Sequence, residues 1–470
     1  MNPDLHRRDL LKTGFALTAA AGFVPLLAPG RAEAETSPHA AGQSRQSPLA
    51  SGPTPWSAAN AIVTATVMPT FRSATFPVTS YGAKGDGKTD DTAAFEKAVA
   101  ACNAAGGGHV TVAAGTYSTG AIYLKSNVDL HLESGSTLAF NGTVANYPTV
   151  LTRYEGIECM NHSPMIYAHG ESNIGLTGSG TLDAGGTAPW NVGEDRAYLE
   201  TLVAEGVPAD KRIVPGSGHT MRSTFVEPYS CDKVLIQGVK LRNAQFWQMH
   251  PTLSTNVTVD GVNTAATNYN TDGCDPECCD RVVIRNCTLD AGDDTIAIKS
   301  GRDADGRRVN TPSQNIVIYG NTFSGPWGAV TFGSELTGGI ANVYAYNCTA
   351  KVRYAFYVKS NTLRGGYVHN ANIDSIDGTD LSGAYGFVQM NYSGQTGPYN
   401  PSFEDFAIAH CTCAGAPQAF DVQGLSGDDV SGFTVTDSTF TSIKNATDTF
   451  DHVSGLKFSG VTINGKSVSK

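Results

Sequence analysis

Short apolar runs, each introduced by a polar residue, recur along most of this chain. Hydrophobic and polar side chains alternate imperfectly within each run, and no helical period separates the runs. The clearest runs are Asn127-Val128-Asp129-Leu130, Asn173-Ile174-Gly175-Leu176, Lys233-Val234-Leu235-Ile236, Asn256-Val257-Thr258-Val259, Arg281-Val282-Val283-Ile284, Asn315-Ile316-Val317-Ile318 and Asn342-Val343-Tyr344-Ala345. Successive steps from Val128 are 46, 60, 23, 25, 34 and 27 residues long. This spacing predicts an all-β parallel β-helix, with coils of 23–27 residues and insertions in the longer steps.

The polar leader of most runs is Asn, whose amide can pair with the same residue on the turns above and below. We therefore expect a ladder of Asn side chains along one edge of the solenoid. A β-propeller is the alternative repeat architecture, but its blades of about 40–45 residues carry a different signature. The sequence contains no such signature, which favours the β-helix.

One segment before the repeats has helical rather than strand periodicity. The oxygen-bearing residues Thr89-Asp90-Asp91 can cap a helix start, and Gly106-Gly107-Gly108 ends the pattern. Between them, one face of the predicted helix carries Phe95, Ala98, Val99 and Cys102. Solenoids need a cap over their first coil. We expect this N-terminal helix to provide it.

The first residues resemble an export signal. His6-Arg7-Arg8-Asp9-Leu10-Leu11-Lys12 precedes an apolar run over about 14–28 and a small-x-small site at Ala32-Glu33-Ala34. An ordinary secretory signal with a chance Arg pair is the alternative; either one places the mature protein outside the cytoplasm, with no membrane association after signal removal. The expected organisation is a twin-arginine type signal over 1–34, a poorly ordered Ser-, Pro- and Ala-rich lead-in over 35–75, and one catalytic β-helix domain over 76–470.

Charge and cysteine content narrow the function classes. The net charge of −11 does not suit nucleic acid binding, although local Lys and Arg can still line a cleft for an acidic sugar. Cys287, Cys348 and Cys411 follow equivalent strands, which favours stacked interior positions while leaving one or two disulfides open. The group Cys274, Cys278 and Cys279 lacks a second pair or nearby His residues, so we expect no zinc site.

Two acidic motifs stand one coil apart, at Asn270-Thr271-Asp272 and Gly292-Asp293-Asp294. Because neighbouring strands lie about 4.7–4.9 Å apart, the three carboxyl groups are predicted to converge. Crowding raises the pKa of at least one carboxyl group, so that one group can stay protonated while its neighbours are ionised. Acid–base cleavage of a glycosidic bond requires one carboxyl group in each state. Ordinary turn formation and calcium binding are alternative interpretations of such Asp residues, and the residues alone leave them open.

The segment from about 76 to 370 resembles glycoside hydrolase family 28, the polygalacturonases and their relatives, particularly bacterial members. The matching segments are Tyr81-Gly82-Ala83-Lys84-Gly85-Asp86-Gly87-Lys88-Thr89-Asp90-Asp91, Phe246-Trp247-Gln248-Met249-His250-Pro251, Asn270-Thr271-Asp272-Gly273, Gly292-Asp293-Asp294, Ile298-Lys299-Ser300-Gly301 and Gly333-Ser334-Glu335. The resemblance implies a right-handed β-helix that hydrolyses α-1,4-galacturonosyl links with inversion.

The resemblance also implies residue roles. Asp293 matches the general acid, and Asp272 and Asp294 match the pair that activates water. Lys359 matches the Lys that contacts the substrate carboxylate, and Asn270 is expected to bind substrate. Inverting enzymes generally hold the two carboxyl groups about 6.5–9.5 Å apart to leave room for water.

Two positions depart from the family pattern. Trp327 stands where many members have His in a Gly-His-Gly segment, and Tyr357 replaces the Arg of an Arg-Ile-Lys segment. The replacement of Arg removes a side chain that could bind a carboxylate through two hydrogen bonds. The two aromatic residues instead provide rings that could stack on a sugar. Both aromatic residues are expected to bind substrate, with packing as the alternative.

The predicted function is a polygalacturonase-like hydrolase that acts on a pectic polysaccharide or oligosaccharide as a monomer, without cofactor or metal. Three alternatives stay open at this point: a hydrolase of rhamnogalacturonan or xylogalacturonan, a calcium-dependent pectate lyase, and a β-helical carbohydrate-binding protein with impaired catalysis. Endo and exo action are not distinguished by the sequence. The long insertion over 185–230 suggests exo action, because a loop of this kind can close one end of a groove.

Overall fold

The computed structural model describes residues 55–185, 193–445 and 447–470. The export signal expected over 1–34 and the lead-in as far as residue 54 lie outside the described residues. Within the described part the chain winds into a right-handed parallel β-helix, which confirms the architecture predicted from the repeats.

The strands form three stacks that run along the solenoid. The first stack contains Thr75–Pro77, Gly108–Val112, Val128–Leu132, Ser172–Gly178, Asp232–Gln237, Thr255–Asp260, Asp280–Arg285, Ser313–Tyr319, Ile340–Lys351, Tyr367–Thr379, Ser402–Ala409, Val430–Thr436, Val453–Ser454 and Lys457–Ser459. The second stack contains Asp86–Asp90, Gly115–Thr119, Ser136–Phe140, Thr181–Asp183, Lys240–Arg242, Asn263–Ala265, Thr288–Asp290, Thr322–Ser324, Thr412–Ala416, Thr439–Ile443, Val461–Ile463 and the antiparallel strand Lys466–Val468. The third stack contains Ile122–Tyr123, Ile166–His169, Val226–Tyr229, Ile296–Ile298, Gly328–Gly333, Tyr354–Lys359, Ala384–Gln389, Gln418–Gln423 and Thr449–Asp451.

Other elements decorate this frame. An antiparallel hairpin pairs Thr149–Tyr154 with Ile157–His162. The α-helices are α1 (Pro55–Ala65), α2 (Thr92–Ala104), α3 (Arg196–Ala204) and α4 (Asp303–Val309), and short 3₁₀ turns cover Val78–Tyr81, Val144–Asn146, Ala209–Lys211 and Tyr392–Gly394. Helix α2 buries the predicted face of Phe95, Ala98, Val99 and Cys102 against the first coils, as expected for a cap.

The predicted Asn ladder is present along the first stack. The Asn173 amide donates to the side-chain oxygen of Asn127 over 3.1 Å, and Asn370 and Asn342 continue the pattern with a bond of 2.9 Å. These residues also take positive φ angles, for example 66° at Asn127 and 55° at Asn342. Asn tolerates the left-handed region better than most residues, and this is a second reason for Asn at these turns that the sequence pattern alone does not reveal.

The expectation of a poorly ordered lead-in is wrong for residues 55–75. Helix α1 packs on outward-facing rings of the first stack, with Trp56 edge-on to Tyr346 at 4.5 Å. The following segment runs along the ladder, where the backbone N–H of Thr70 donates to Asn173 over 2.8 Å. Order arises because the rings of the first stack gain an apolar cover and the ladder offers hydrogen-bond partners. We call residues 55–74 the N-terminal strap.

All ten cysteines are buried free thiols, so the structure contains none of the disulfides that the sequence left open. Cys287, Cys348 and Cys411 occupy the predicted interior positions, and burial raises the pKa of the Cys411 thiol to about 11. No helix in the described ranges is long and apolar enough to cross a membrane.

Candidate active site

The three acidic residues lie at the same turn of adjacent coils, between the second and third stacks. Asp272 follows the strand Asn263–Ala265, and Asp293 and Asp294 follow Thr288–Asp290. The backbone of Gly273 donates to the carbonyl of Asp294 over 3.0 Å, which fixes the stacking of the two turns. One carboxylate oxygen from each of the three residues lies within 4.8 Å of the others. The predicted convergence of the carboxyl groups is therefore present.

The distance between single oxygens is a shorter measure than the separation between whole carboxyl groups. The general rule for inverting enzymes predicts about 6.5–9.5 Å between the carboxyl groups. The nearest oxygens here are within 4.8 Å, because residues at matching positions of adjacent coils are held at the strand spacing. The distance rule therefore does not by itself assign the stereochemistry of this site.

Asp294 is held by two donors. The backbone N–H of Gly328 donates to its Oδ1 over 2.7 Å, and the Lys359 ammonium donates to Oδ2 over 2.8 Å. A Cβ at Gly328 would lie 2.9 Å from that Oδ1 and 2.0 Å from the Thr331 hydroxyl, so only glycine fits there. Lys359 itself is buried; burial opposes its charge, but Asp294 outweighs this effect and raises the pKa of the ammonium. Lys359 thus lies at the carboxylates, where the resemblance implies a contact with substrate.

Sequence reasoning missed a second buried ammonium, Lys299. Its Nζ lies 3.7 Å from Asp272 Oδ2, 3.7 Å from Asp275 Oδ2 and 3.3 Å from Glu335 Oε2. The ring of Trp247 covers it at 4.3 Å. A Lys beside apolar residues in Ile296–Ile298 is a usable signal, because a charge in a buried strand needs partners.

The site keeps one of its acids protonated. Burial, together with the nearby Asp275 and Asp293 carboxylates, holds the pKa of Asp272 well above its usual range. Burial acts in the same direction on Glu335, but Lys299 and Arg364 outweigh it and hold that pKa well below its usual range. Protonated and ionised carboxyl groups therefore coexist within one cluster.

Asn270 is positioned by the long insertion. Its side-chain oxygen accepts a bond of 2.9 Å from Arg222, a residue that is 4% exposed. The same guanidinium donates to the carbonyl of Tyr269 over 3.0 Å and lies 4.3 Å from that ring. The insertion thus supports the loop that carries the first acidic motif.

The insertion and the hairpin form a wall beside the site. Their apolar side chains pack with the coil that precedes Asp272, in a cluster of Tyr154, Ile157, Cys159, Leu199, Val214, Met221, Phe246 and Trp247. Because Trp247 also covers Lys299, this wall is continuous with the buried charges.

Tyr357 does not offer the sugar-stacking surface expected of it. The residue is 4% exposed, and its ring stacks on Phe387 with centroids 5.3 Å apart. The Lys359 ammonium lies 4.6 Å from the ring, and Gln389 donates to the hydroxyl over 2.7 Å. The alternative of packing applies, because this ring fills the space beside Lys359.

Trp327 is more open. Its ring is half-buried, and the Arg353 guanidinium lies 4.7 Å from the centroid. The ring is therefore packed against a cation while part of it stays exposed.

The calcium interpretation of the cluster is disfavoured on electrostatic grounds. The oxygens of the three Asp residues are close enough to bind a cation. However, the Lys359 and Lys299 ammonium groups already lie 2.8 and 3.7 Å from Asp294 and Asp272, respectively. Fixed positive charges at these distances oppose the entry of a divalent ion.

A β-helix that brings acids of different protonation tendency together beside buried ammonium groups has the groups that a glycosidase requires. Comparison with known proteins makes this more specific. Residues 102–469 match the profile of the glycosyl hydrolases family 28, and the chain belongs to that family.

Similar proteins include a probable polygalacturonase of Vitis vinifera, which is 26% identical over 76% of this chain and 72% of the relative. An exo-poly-alpha-D-galacturonosidase of Dickeya chrysanthemi is 27% identical over 75% of this chain and 65% of its own length. Among solved structures, a hyperthermoactive exopolygalacturonase of Thermotoga maritima superposes with a TM-score of 0.82, at 33% identity over 87% of this chain and 96% of that one.

Proposed function

We propose that this chain removes galacturonate units from an end of a galacturonan chain, by a single displacement with inversion. Membership of family 28 supports a galacturonan-cleaving glycosidase and does not favour the lyase, the other pectic hydrolases or the non-catalytic binder. The observation that carries the proposal is the convergence of Asp272, Asp293 and Asp294 within 4.8 Å beside two buried ammonium groups.

Support for exo action comes from two sources. The relatives named for exo action include the Thermotoga maritima protein, at 33% identity. In addition, the hairpin and the insertion pack beside the acids, as a wall that limits one end of a groove would do. On this support we propose that the site takes a chain end rather than the middle of a polymer.

In the proposed reaction, the Asp293 carboxyl protonates the bridging oxygen as the bond from that oxygen to C1 breaks. Water attacks C1 from the opposite face, and its proton passes to the Asp272 and Asp294 pair. Burial and the neighbouring carboxylates raise the pKa of Asp272, which favours a proton on this residue in the free site. Because coupled carboxyl groups share protons, substrate binding must shift that proton toward Asp293 before cleavage.

Three further residues are proposed to bind substrate, and a fourth to position one of them. Lys359 exchanges part of its contact with Asp294 for the uronate carboxylate. Asn270, oriented by Arg222, presents its amide nitrogen to a sugar oxygen. Trp327 provides a stacking surface, and Tyr357 acts through Lys359, which it packs against.

The protein is also proposed to be exported through the Arg7-Arg8 signal and to act as a monomer on pectic polysaccharide outside the cytoplasm. Cell fractionation of the wild type and of a variant with both Arg residues changed to Lys tests the export route. Retention of that variant in the cytoplasm is the expected result. Size-exclusion chromatography with light scattering tests the monomer.

The central experiment is product analysis on polygalacturonate, rhamnogalacturonan and xylogalacturonan, with Asp293→Asn as the matched control. We expect monogalacturonate from the first substrate from the earliest times, and no ultraviolet-absorbing unsaturated product with or without chelator. Proton NMR of the fresh product should show the β-anomer first. Early oligomers of mixed length would contradict exo action, and equal background release by both enzymes would contradict hydrolysis.

A further inference from the structure

Asp275 is a buried carboxylate to which neither the sequence nor the resemblance assigns a role. It is 0% exposed, and neither of its oxygens has a hydrogen-bond partner among the described residues. Its only recorded ion pair in the described ranges is with Lys299, at 3.7 Å. Burying a carboxyl group without hydrogen bonds is costly, and this cost is greatest when the group is charged. Such a residue calls for a reason in the function of the site.

The surrounding charges do not balance. Asp272, Asp293 and Asp294 converge within 4.8 Å, and Asp275 and Glu335 join them through Lys299. The cations in recorded contact with this set within the described chain are Lys299, Lys359 and Arg364. Carboxyl groups therefore outnumber cations in a buried environment, and the excess negative charge is relieved by bound protons.

The groups that act electrostatically on Asp275 are of both signs. Asp294 and Glu335 oppose its ionisation, and Lys299 and His250 favour it. His250 lies 2.8 Å from Glu277 and 3.4 Å from Glu227, so its positive charge is largely compensated by those carboxylates. The charge of Asp275 is therefore decided by how closely the Lys299 ammonium associates with it rather than with Asp272 and Glu335.

Lys299 is shared between Asp275 and the proposed water-activating residue Asp272. Its Nζ lies 3.7 Å from an oxygen of each, so neither carboxylate holds it alone. When Asp275 is neutral, the ammonium charge is available to Asp272 and Glu335. When Asp275 ionises, it competes for that charge and adds a negative charge close to Asp272.

We propose that Asp275 and Lys299 form a buried positioning pair that sets the charge of Asp272 during catalysis. This inference rests on the proposed function, because Asp272 is a catalytic group only if the chain is a hydrolase. In the working enzyme Asp275 is the neutral acid beneath Lys299. Its ionisation in alkaline solution switches the site off.

The direction of titration agrees with this arrangement. Burial raises the pKa of Asp275 to about 7, although Lys299 and His250 oppose the rise. Asp275 should therefore be neutral, with the Lys299 charge left to Asp272 and Glu335, in mildly acidic solution, and should draw that charge to itself above neutrality.

The first test is the pH profile of kcat on a trigalacturonate substrate, each profile normalised to its own maximum. For Asp275→Asn, which cannot ionise, we expect the alkaline fall of activity to move upward by about one pH unit. Asp210 forms an ion pair with Lys211 at the surface, and its side chain is 65% exposed. Asp210→Asn is therefore the control, and its pH profile should coincide with that of the wild type. A profile of Asp275→Asn that coincides with wild type overturns the inference.

Lys299 variants test the other half of the pair. Lys299→Met should lower kcat on the order of 100-fold and shift the profile, because it leaves buried carboxylates without their cation. Lys299→Arg should restore part of the activity and of the profile, since it restores the charge. Equal loss in both variants, with unshifted profiles, would assign Lys299 to packing alone and contradict the proposal.

A second measurement does not depend on activity. Infrared difference spectra in heavy water report the carbonyl stretch of protonated carboxyl groups as pH is raised from 5 to 9. The wild type should lose a buried carboxylic acid signal near neutrality, and Asp275→Asn should lack that signal. If no pectic substrate is cleaved, the proposed function fails while this titration still decides the state of Asp275; a wild type without the signal overturns the pair.

Discussion

The edge of the first stack and the turn before the third stack both place like side chains at matching positions of adjacent coils. The effect of this stacking is opposite in the two regions. On the first stack, neutral Asn side chains meet at matching positions and bond to one another, as Asn370 does to Asn342 over 2.9 Å. At the turn entering the third stack, Asp272 meets Asp293 and Asp294 at the same spacing, and the groups repel. Stacked neutral amides stabilise a solenoid through hydrogen bonds. Stacked carboxyl groups destabilise it by repulsion, but they provide the acids that catalysis needs.

The largest expected effect separates these faces directly. Asp293→Asn should lower kcat by about 10²–10⁴-fold, the range typical of a lost general acid. Its melting temperature should not fall, because one like charge is removed from a crowded group. Reducing-sugar assays and calorimetry on the same preparation measure both quantities. A variant that loses stability along with activity would show that the acid also holds the fold.

Removal of the cation is the next effect in size. Lys359→Met leaves Asp294 buried without its 2.8 Å partner and should lower kcat/KM on the order of 100-fold. Lys359→Arg is the matched control and should recover part of the loss, chiefly in kcat. If Arg and Met are equally impaired, the shape of the site rather than its charge is limiting.

On the first stack, the N-terminal strap can be broken without touching the site. Ala59 is 0% exposed against the outer rings, and Ala61 of the same helix is exposed. Ala59→Asp should lower the unfolding free energy by about 1–3 kcal/mol with kcat unchanged, because it buries a charge against aromatic rings. Ala61→Asp should have little effect in the same urea titration. Equal curves for the two variants would mean that α1 adds no stability.

The cost of burying carboxyl groups at the site can be measured through the pH dependence of stability. The pKa of Asp275 rises from about 3.9 in the unfolded chain to about 7 in the fold, mainly through burial. The folded state thus favours the protonated form, so this residue's penalty grows as pH rises through that window and is complete above it. Asp275→Asn should therefore gain in melting temperature relative to wild type between pH 5 and 8. A constant difference across that range would contradict the raised pKa.

The smallest effect concerns a single ladder position. Asn342→Ala should cost about 1 kcal/mol or more, since it removes two ladder bonds, to Asn315 and from Asn370, and strains a φ of 55°. Asn342→Gly loses both bonds but accepts the angle, so it should be the milder of the two. Denaturant unfolding compares them. A milder Ala variant would show that conformation is not the reason for Asn at these turns.

The same contrast explains what could be predicted from sequence. The runs led by Asn, the capping helix over Thr92–Ala104 and the meeting of Asp272 with Asp293 all follow from a period, and each coil repeats the signal. Residues that break the period were not found this way. The apolar residues before Lys299 indicate a buried charge that needs partners, but the partner Glu335 becomes evident only when the two coils are stacked, because the contact joins distant residues.

Two other expectations drawn from local sequence were wrong. The Ser-, Pro- and Ala-rich lead-in resembles a disordered segment, yet Trp56 finds the ring of Tyr346. Tyr357 was expected to stack on a sugar ring, but Phe387 already covers its ring, and a single sequence does not reveal this contact. In both cases the deciding contact is made by an aromatic residue on another coil, at a separation that no local pattern reports.

The N-terminal strap has a consequence for how the chain reaches its native state. A solenoid made only of neighbouring contacts can assemble turn by turn as it leaves the ribosome, with each finished turn serving as template for the next. Here the earliest described helix rests on Tyr346, so its docking must wait until the middle of the protein has been synthesised. That late closure ties remote turns into one cooperative unit, and unfolding of the central turns should release the amino-terminal helix in the same step.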